Sequence, residues 1–421
     1  MCGIIGILGK EPVVGGLIDA LKRLEYRGYD SAGVATLENG ALKRRRAQGK
    51  LRNLEQVAAE QPLKGLCGIG HTRWATHGAP SERNAHPHMT SKVSVVHNGI
   101  IENFRTLRTE LEESGAVFES ETDTEVIVHL ITRELDREAT PEAAVAETLR
   151  RLEGAFALAI LFAGHDDLLI GARRGSPLAV GYGVGEMFLG SDAIALAPFT
   201  DRVVYLEDGD WAVVTRAGAV IRDESGAKVY RPVQTTHASA LLADKGNHRH
   251  FMAKEIHEQP DVISHTLGHY IHFGEERVRL PELPVDLASL SRLTICACGT
   301  AFYAGLIGKY WFEQIARLPV EIDIASEFRY REAPMPANGA ALFISQSGET
   351  ADTLAGLRYC KSQEQTVLSV VNVQHSTIAR ESDVILPTLA GPEIGVASTK
   401  AFTSQLTVLA CLAIAAARAR G

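Results

Sequence analysis

Four short stretches of the sequence hold residue types that suit a single reaction. Cys2 follows the start methionine, so removal of Met1 would leave a thiol and a free amine on one residue. An α-amine has a reference pKa of about 8 and is partly neutral at physiological pH, so it can take the thiol proton. HTRWATHG supplies Arg73, whose planar guanidinium either makes a structural ion pair or clamps a carboxylate bidentately. VVHNGIIEN supplies Asn98 and Gly99. Asn-Gly is a strong hairpin-turn signal, but an Asn amide and a Gly N–H also make a cradle for a tetrahedral oxyanion, and glycine permits close backbone approach. SETDTEV supplies Asp123, an acid that complements a helix dipole or holds an ammonium group. Together they offer a nucleophile with its own base, an oxyanion cradle, a cation for a carboxylate and an anion for an amine. That set suits removal of the side-chain amide from a free amino acid, and glutamine fits.

The stretch from His71 to His97 holds five histidines. They lack the i, i+4 pairing or cysteine companions of a zinc site, so neither a metal nor a cofactor is expected. A second constellation lies in ALFISQSGETADTL. Ser345, Gln346, Ser347 and Thr350 sit between an apolar strand and a helix, where hydroxyls and free N–H groups of a helix start suit a phosphate; an ordinary helix cap is the other reading. G-x-G-x-x-G and G-x-x-x-x-G-K-[ST] are both missing from the sequence, which disfavours a dinucleotide or a nucleoside triphosphate. CGTAFY offers Thr300, and EIGVASTKAFT offers Val396, Ser398 and Lys400.

The elements that must hold these residues fall into two groups. CGIIGIL, CGIGHT, KVSVVH, FALAILF and WAVVTR read as short apolar strands, with a helix over ETDTEVIVHLITREL started by a Thr122/Glu125 capping box. An α/β/β/α layered domain over 2–225 is expected. The polar, His-rich stretch HASALLADKGNHRHFMAKEIHEQP reads as part of a linker with connecting helices over 226–284. From 285 to 421 strands alternate with helices, which predicts a doubly wound parallel sheet whose ligands sit at the carboxyl ends of its strands. Two or three domains fit 421 residues. A net charge of -8 gives no reason to expect nucleic acid or an anionic membrane as partner. The basic run Lys43–Arg46 reads as a solvated strand edge. Six sparse cysteines and the lack of a signal peptide point to a reducing cytoplasm. Leu406–Ala417 is shorter than the ~20 residues a bilayer needs and reads as a buried helix.

MCGIIG, LEYRGYDSAG, HTRWATHG, NAHPH, HNGIIEN and SETDTE, in that order, resemble the glutaminase domain of class II amidotransferases, and most closely the glutamine–fructose-6-phosphate aminotransferase family. The resemblance implies an N-terminal-nucleophile (Ntn) hydrolase fold in which Cys2 attacks glutamine and Asn98 and Gly99 form the oxyanion hole. It implies that Arg73 and Asp123 hold the α-carboxylate and α-amine, and that Arg27, Trp74 and His77 line or close the pocket. The later loops resemble the family's sugar-isomerase (SIS) module. By that likeness Ser345, Gln346, Ser347 and Thr350 bind the phosphate of fructose 6-phosphate, and Thr300, Val396 and Ser398 line the sugar. A homodimer is implied by likeness alone.

Two departures are visible. The family's CGTS is CGTA here, with Ala301 in place of a hydroxyl worth about 1 kcal/mol in a hydrogen bond. The family also carries a second SIS module, which supplies the Schiff-base lysine, the isomerisation acid–base groups and a C-terminal tail; no stretch of this sequence matches it. Glutamine hydrolysis is therefore expected to survive while glucosamine 6-phosphate synthesis is lost or very slow. Two other readings are a phosphosugar-binding regulatory protein, which leaves Cys2 unexplained, and another class II enzyme such as the phosphoribosyl-transferring one, whose acidic pyrophosphate-binding motif is missing here.

Overall fold

The computed structural model describes residues 2–25, 29–74, 78–235, 248–275, 277–374 and 376–421. The chain divides into two compact units, 1–243 and 244–421.

In the first unit the described residues form two antiparallel sheets. In one, Gly3–Leu8 lies between Met187–Gly190 and Cys67–Arg73, followed outward by Ser31–Glu38 and the edge strand Ala41–Gln48. In the other, Val93–Ile101 pairs with Gly154–Phe162, which pairs with Leu169–Arg174. Side chains alternate across a strand, and the sequence uses both faces. Ile4, Leu8, Cys67, Ile69, Val96, Ala157 and Ala159 fill the layer between the sheets. Ile5 and Ile7 pack instead on the helix Val14–Arg23, through Leu17 and Leu21. Val93, Val95, Phe156 and Leu158 pack on the helices Phe104–Glu113, Glu125–Asp136 and Pro141–Arg151. The result is four layers, α/β/β/α.

The second unit is a parallel sheet in the order Val320–Ile324, Arg292–Ala297, Gly339–Ser345, Thr366–Val371, Val384–Pro387. One face carries Leu293, Ile295, Leu342, Ile344, Leu368 and Val370 against the helices Gly299–Ile315 and Lys400–Arg420. The opposite face carries Cys296, Phe343 and Val367 against Ala325–Arg331 and Ala351–Ser362. Strands covered on both sides are mostly apolar, as Arg292–Ala297, Gly339–Ser345 and Thr366–Val371 are. The strand order reverses between Arg292–Ala297 and Gly339–Ser345, the crevice where ligands of such sheets bind.

The structure decides four local readings of the sequence. Asn98 and Gly99 are not a turn: they lie in Val93–Ile101, opposite Ala157 and Phe156. The Thr122/Glu125 capping box does not form; the helix starts at Glu125, and its carboxylate accepts from the backbone N–H groups of Glu119 and Ser120 at 2.7 and 2.6 Å. A helix at Phe251–Tyr270 runs through the polar stretch. The last helix, Lys400–Arg420, has the length and composition to cross a membrane, yet 56% of its most apolar window is buried within the protein, where Val408, Leu409 and Leu412 complete the core.

Candidate active site

The register of the first sheet brings the first chemical group together. Gly3 stands opposite Thr72, so the preceding Cys2 meets the end of the strand Cys67–Arg73. The Trp74 N–H donates to Cys2 Sγ at 3.2 Å, and the thiol lies 3.6 Å from the Trp74 carbonyl. From the facing sheet, Asn98 Nδ2 donates to the Cys2 carbonyl at 3.1 Å. Asn98 shares the inward face with Val96, and that alternation alone carries its amide across the layer. Gly99 has φ +122°, and a Cβ there would stand 2.0 Å from the Ala155 carbonyl oxygen. Only glycine fits.

Burial pushes the Cys2 thiol up; the Trp74 N–H, the amino-terminal charge and Arg73 pull the other way without prevailing. The sulfur therefore rests as a thiol and needs a base before it can attack. Arg73 is 4% exposed and reaches the Gly78 carbonyl at 3.4 Å. Burial lowers its pKa while Asp30, Cys2 and Asp123 favour its charged form. Asp123 is buried at the entry to the helix Glu125–Asp136. It accepts from the Ile101 N–H at 2.8 Å and lies 4.0 Å from His97 Nδ1. Trp74 is 55% exposed. Arg27 and His77 lie outside the described residues.

Four histidines converge behind these groups. The rings of His71, His88 and His97 stand 4.3, 4.9 and 6.4 Å from that of His86 between centroids, and all four are buried. His71 Nε2 meets Asn98 Oδ1 at 2.9 Å, His97 Nδ1 meets Thr124 Oγ1 at 2.9 Å, and His88 Nε2 meets Thr122 Oγ1 at 3.0 Å. Among the described residues no three His, Cys, Asp or Glu side chains are placed to hold a metal ion. Burial drives His71 down to about 3 and His86 and His88 well below the ordinary imidazole value.

The unfolded chain, with histidine near 6.5, therefore takes up protons first, and stability is full above that pH and drains as pH falls toward 3. Chemical unfolding followed by tryptophan fluorescence should show a loss of about 1 kcal/mol for each of His71, His86 and His88 between pH 6.5 and 5.5. Unchanged midpoints would show that these imidazoles are not held neutral.

In the second unit the phosphate-suited residues gather at the reversal of strand order. Ser345 ends the strand Gly339–Ser345; its hydroxyl pairs with Thr350 Oγ1 at 3.1 Å and accepts from the Gly348 N–H at 3.0 Å. Ser347 Oγ accepts from the Glu349 N–H at 3.2 Å. Gly348 has φ +63°, and a Cβ would collide with Ser376 Oγ. Thr350 precedes the helix Ala351–Ser362 but makes no side-chain cap bond, so the plain-cap reading fails. Gln346 is half-buried and its carbonyl accepts from the Asn372 N–H at 3.3 Å. Thr300, exposed, opens the helix Gly299–Ile315 at the neighbouring strand end, while Ala301 packs into the core. Val396 is 85% exposed, and Ser398 donates to Glu393 at 3.0 Å.

The sequence alone did not single out the carboxylates that hold this last loop. Glu393 accepts from the Thr399 and Ala401 N–H groups at 2.8 and 3.1 Å. Glu255, buried on Phe251–Tyr270, accepts from the N–H groups of Ile394 and Gly395, and Glu258 pairs with the buried Lys400 at 2.7 Å. His71 was visible only as one of five histidines. A bonded, neutral imidazole carries no local mark that separates it from an exposed one.

Residues 71–198 match the family described as glutamine amidotransferase domain, and 286–415 match the SIS domain. With its layered sheets, the first unit is an N-terminal-nucleophile (Ntn) hydrolase sandwich, and the second is a SIS domain: the class is an amidotransferase enzyme joined to a sugar-isomerase fold. A protein of Brucella suis biovar 1 (strain 1330) named glutamine–fructose-6-phosphate aminotransferase [isomerizing] is 66% identical over 421 residues, covering 100% of this chain and 69% of that one. A protein of the same name from Mesorhizobium japonicum is 65% identical with the same coverage. The chain belongs to the glutamine–fructose-6-phosphate aminotransferase (isomerising) family. Among solved structures, the C-terminal domain of glucosamine-fructose-6-phosphate aminotransferase from Francisella tularensis is 42% identical, covers 42% of this chain and 50% of that chain, and has a TM-score of 0.39. The glutamine phosphoribosylpyrophosphate amidotransferase of B. subtilis is 18% identical, covers 92% and 91%, and has a TM-score of 0.48.

Proposed function

We infer that the first unit hydrolyses glutamine and that its ammonia is meant for fructose 6-phosphate held by the second, with the step to glucosamine 6-phosphate slow or lost for these 421 residues alone. The observation that carries this reading is the meeting of Cys2, Asn98, Arg73 and Asp123 from two sheets and a helix entry, beside the printed name of relatives matched over the whole chain.

In the reading, loss of Met1 frees the Cys2 amine, which takes the thiol proton while the sulfur attacks the side-chain carbonyl of glutamine. Asn98 Nδ2 and the Gly99 N–H stabilise the oxyanion. Arg73 grips the α-carboxylate and Asp123 the α-ammonium, with Trp74, Arg27 and His77 lining the pocket. The tetrahedral carbon collapses with departure of ammonia, the proton returning to the leaving nitrogen, and water then releases glutamate from the thioester.

In the second unit Ser345, Gln346, Ser347 and Thr350 take the phosphate, and Thr300, Val396 and Ser398 face the sugar. The Ser345 hydroxyl is already turned into the loop toward Gly348 and Thr350, which gives the cradle its shape. A homodimer rests on the family likeness, and the net charge of -8 suits a small-molecule enzyme rather than a nucleic-acid binder. A reducing cytoplasm suits a nucleophilic thiol.

The test is intact-protein mass spectrometry with and without a glutamine-mimicking electrophile, alongside measurement of glutamate release. The expected result is loss of the Met1 mass and one adduct mapping to Cys2. An adduct elsewhere, or turnover by a chain that retains Met1, sinks the reading.

A further inference from the structure

The Asn98 amide has two orientations related by a half-turn, and its partners select one. The Cys2 carbonyl oxygen only accepts, so the Asn98 atom 3.1 Å from it is Nδ2. That leaves Oδ1 facing His71 Nε2 at 2.9 Å. An amide oxygen only accepts, so His71 must carry its proton on Nε2. The ring is fully buried on the strand Cys67–Arg73 and backed by His86, 4.3 Å away between centroids and tilted by 39°.

We propose that His71 is a positioning residue for glutamine hydrolysis, its Nε2–H locking the Asn98 amide with nitrogen turned toward the reacting carbonyl. The inference rests on Asn98 being an oxyanion donor. His71 does not touch substrate; it acts through Asn98. Without the Nε2–H, a half-turn of the amide would present Oδ1 to the developing oxyanion, replacing attraction by repulsion. Burial supports this assignment: a ring held near pKa 3 stays neutral, with a single N–H to place, at any working pH.

The experiment compares His71→Gln with His71→Met, side chains of matching length that differ in having or lacking an N–H donor. The kcat and KM for glutamate release are measured with Asn98 intact and with Asn98→Ala, and thermal midpoints are recorded for each variant. The expected result is a kcat about 10- to 100-fold lower for His71→Met, KM within about twofold, and recovery to within about threefold of the parent by His71→Gln. On the Asn98→Ala background the step from His to Met should change kcat by less than about twofold, because the group it orients is gone.

An equal loss on both backgrounds, an effect confined to KM, or a His71→Gln variant as poor as His71→Met overturns the inference. An Asn98→Ala protein with undiminished kcat overturns the oxyanion reading itself and this inference with it. Should His71→Met fail to fold, His71→Gln decides: near-parental kcat supports the role, and a loss as large as that of Asn98→Ala refutes it.

Discussion

Cys2→Ala is expected to lower glutamate release by about 10⁴-fold or more, the scale seen when a covalent nucleophile is removed. The fold should be untouched. Cys2 is half-buried and precedes the first strand, Gly3–Leu8, so neither a ladder bond nor the core depends on its sulfur. Glutamine should still bind, since Arg73 and Asp123 are set in place by other elements. Titration calorimetry of glutamine into the variant should give a Kd within a few-fold of the parent's KM-limited affinity, and thermal midpoints should coincide. Release within tenfold of the parent would mean that another group attacks the amide. A wild-type chain that keeps Met1 should be as slow as the alanine variant, because its α-amine is then one residue too far from the sulfur.

Gly99→Ala is expected to be the more damaging single methyl in the first unit. At φ +122° an alanine is strained, and its Cβ would stand 2.0 Å from a backbone oxygen, Ala155 O, that belongs to the paired strand. No side chain can swing aside, so the two strands must separate locally. A loss of about 3 kcal/mol or more in urea unfolding is expected. If Asn98 and Gly99 form the oxyanion hole we propose, the same shift moves their N–H groups off the reacting carbonyl, and a displacement of about 1 Å there costs about 100-fold in kcat. Parental stability together with parental kcat would show that the strands at Gly99 tolerate a side chain.

Much of the layering was legible because it rests on period-two alternation, which a short window of sequence contains. Ile4 and Ile5 face different cores, and so do Val95 and Val96. What escaped notice depends on partners far along the chain. Asn98–Gly99 has the local form of a turn, but pairing with Ala157 and Phe156 draws it into a strand. Glu125 has the spacing of a capping box, but the chain N-terminal to the helix offers its carboxylate closer N–H groups, those of Glu119 and Ser120. The helix Phe251–Tyr270 reads as a polar stretch because two of its buried residues bond to distant backbone, Thr266 donating to the Thr388 carbonyl and Glu255 accepting from the Gly395 N–H. The candidate residues of the first unit were named from their motifs, whereas the histidine behind Asn98 had no signature until its neighbours were in view.

The start of an α-helix attracts negative charge wherever it occurs, and the second unit has several such ends in its ligand crevice. Glu393 already sits on the start of Lys400–Arg420, and Glu349 accepts from the Thr377 N–H at 2.7 Å on the start of Thr377–Glu381. The polypeptide thus supplies its own tenant at two of these ends. At Ala351–Ser362 the threonine before the helix turns its hydroxyl to Ser345 instead. A dianionic ligand would thus be repelled from the two starts that already carry a carboxylate and drawn to the positive end of Ala351–Ser362, so we expect the crevice to favour one direction of binding.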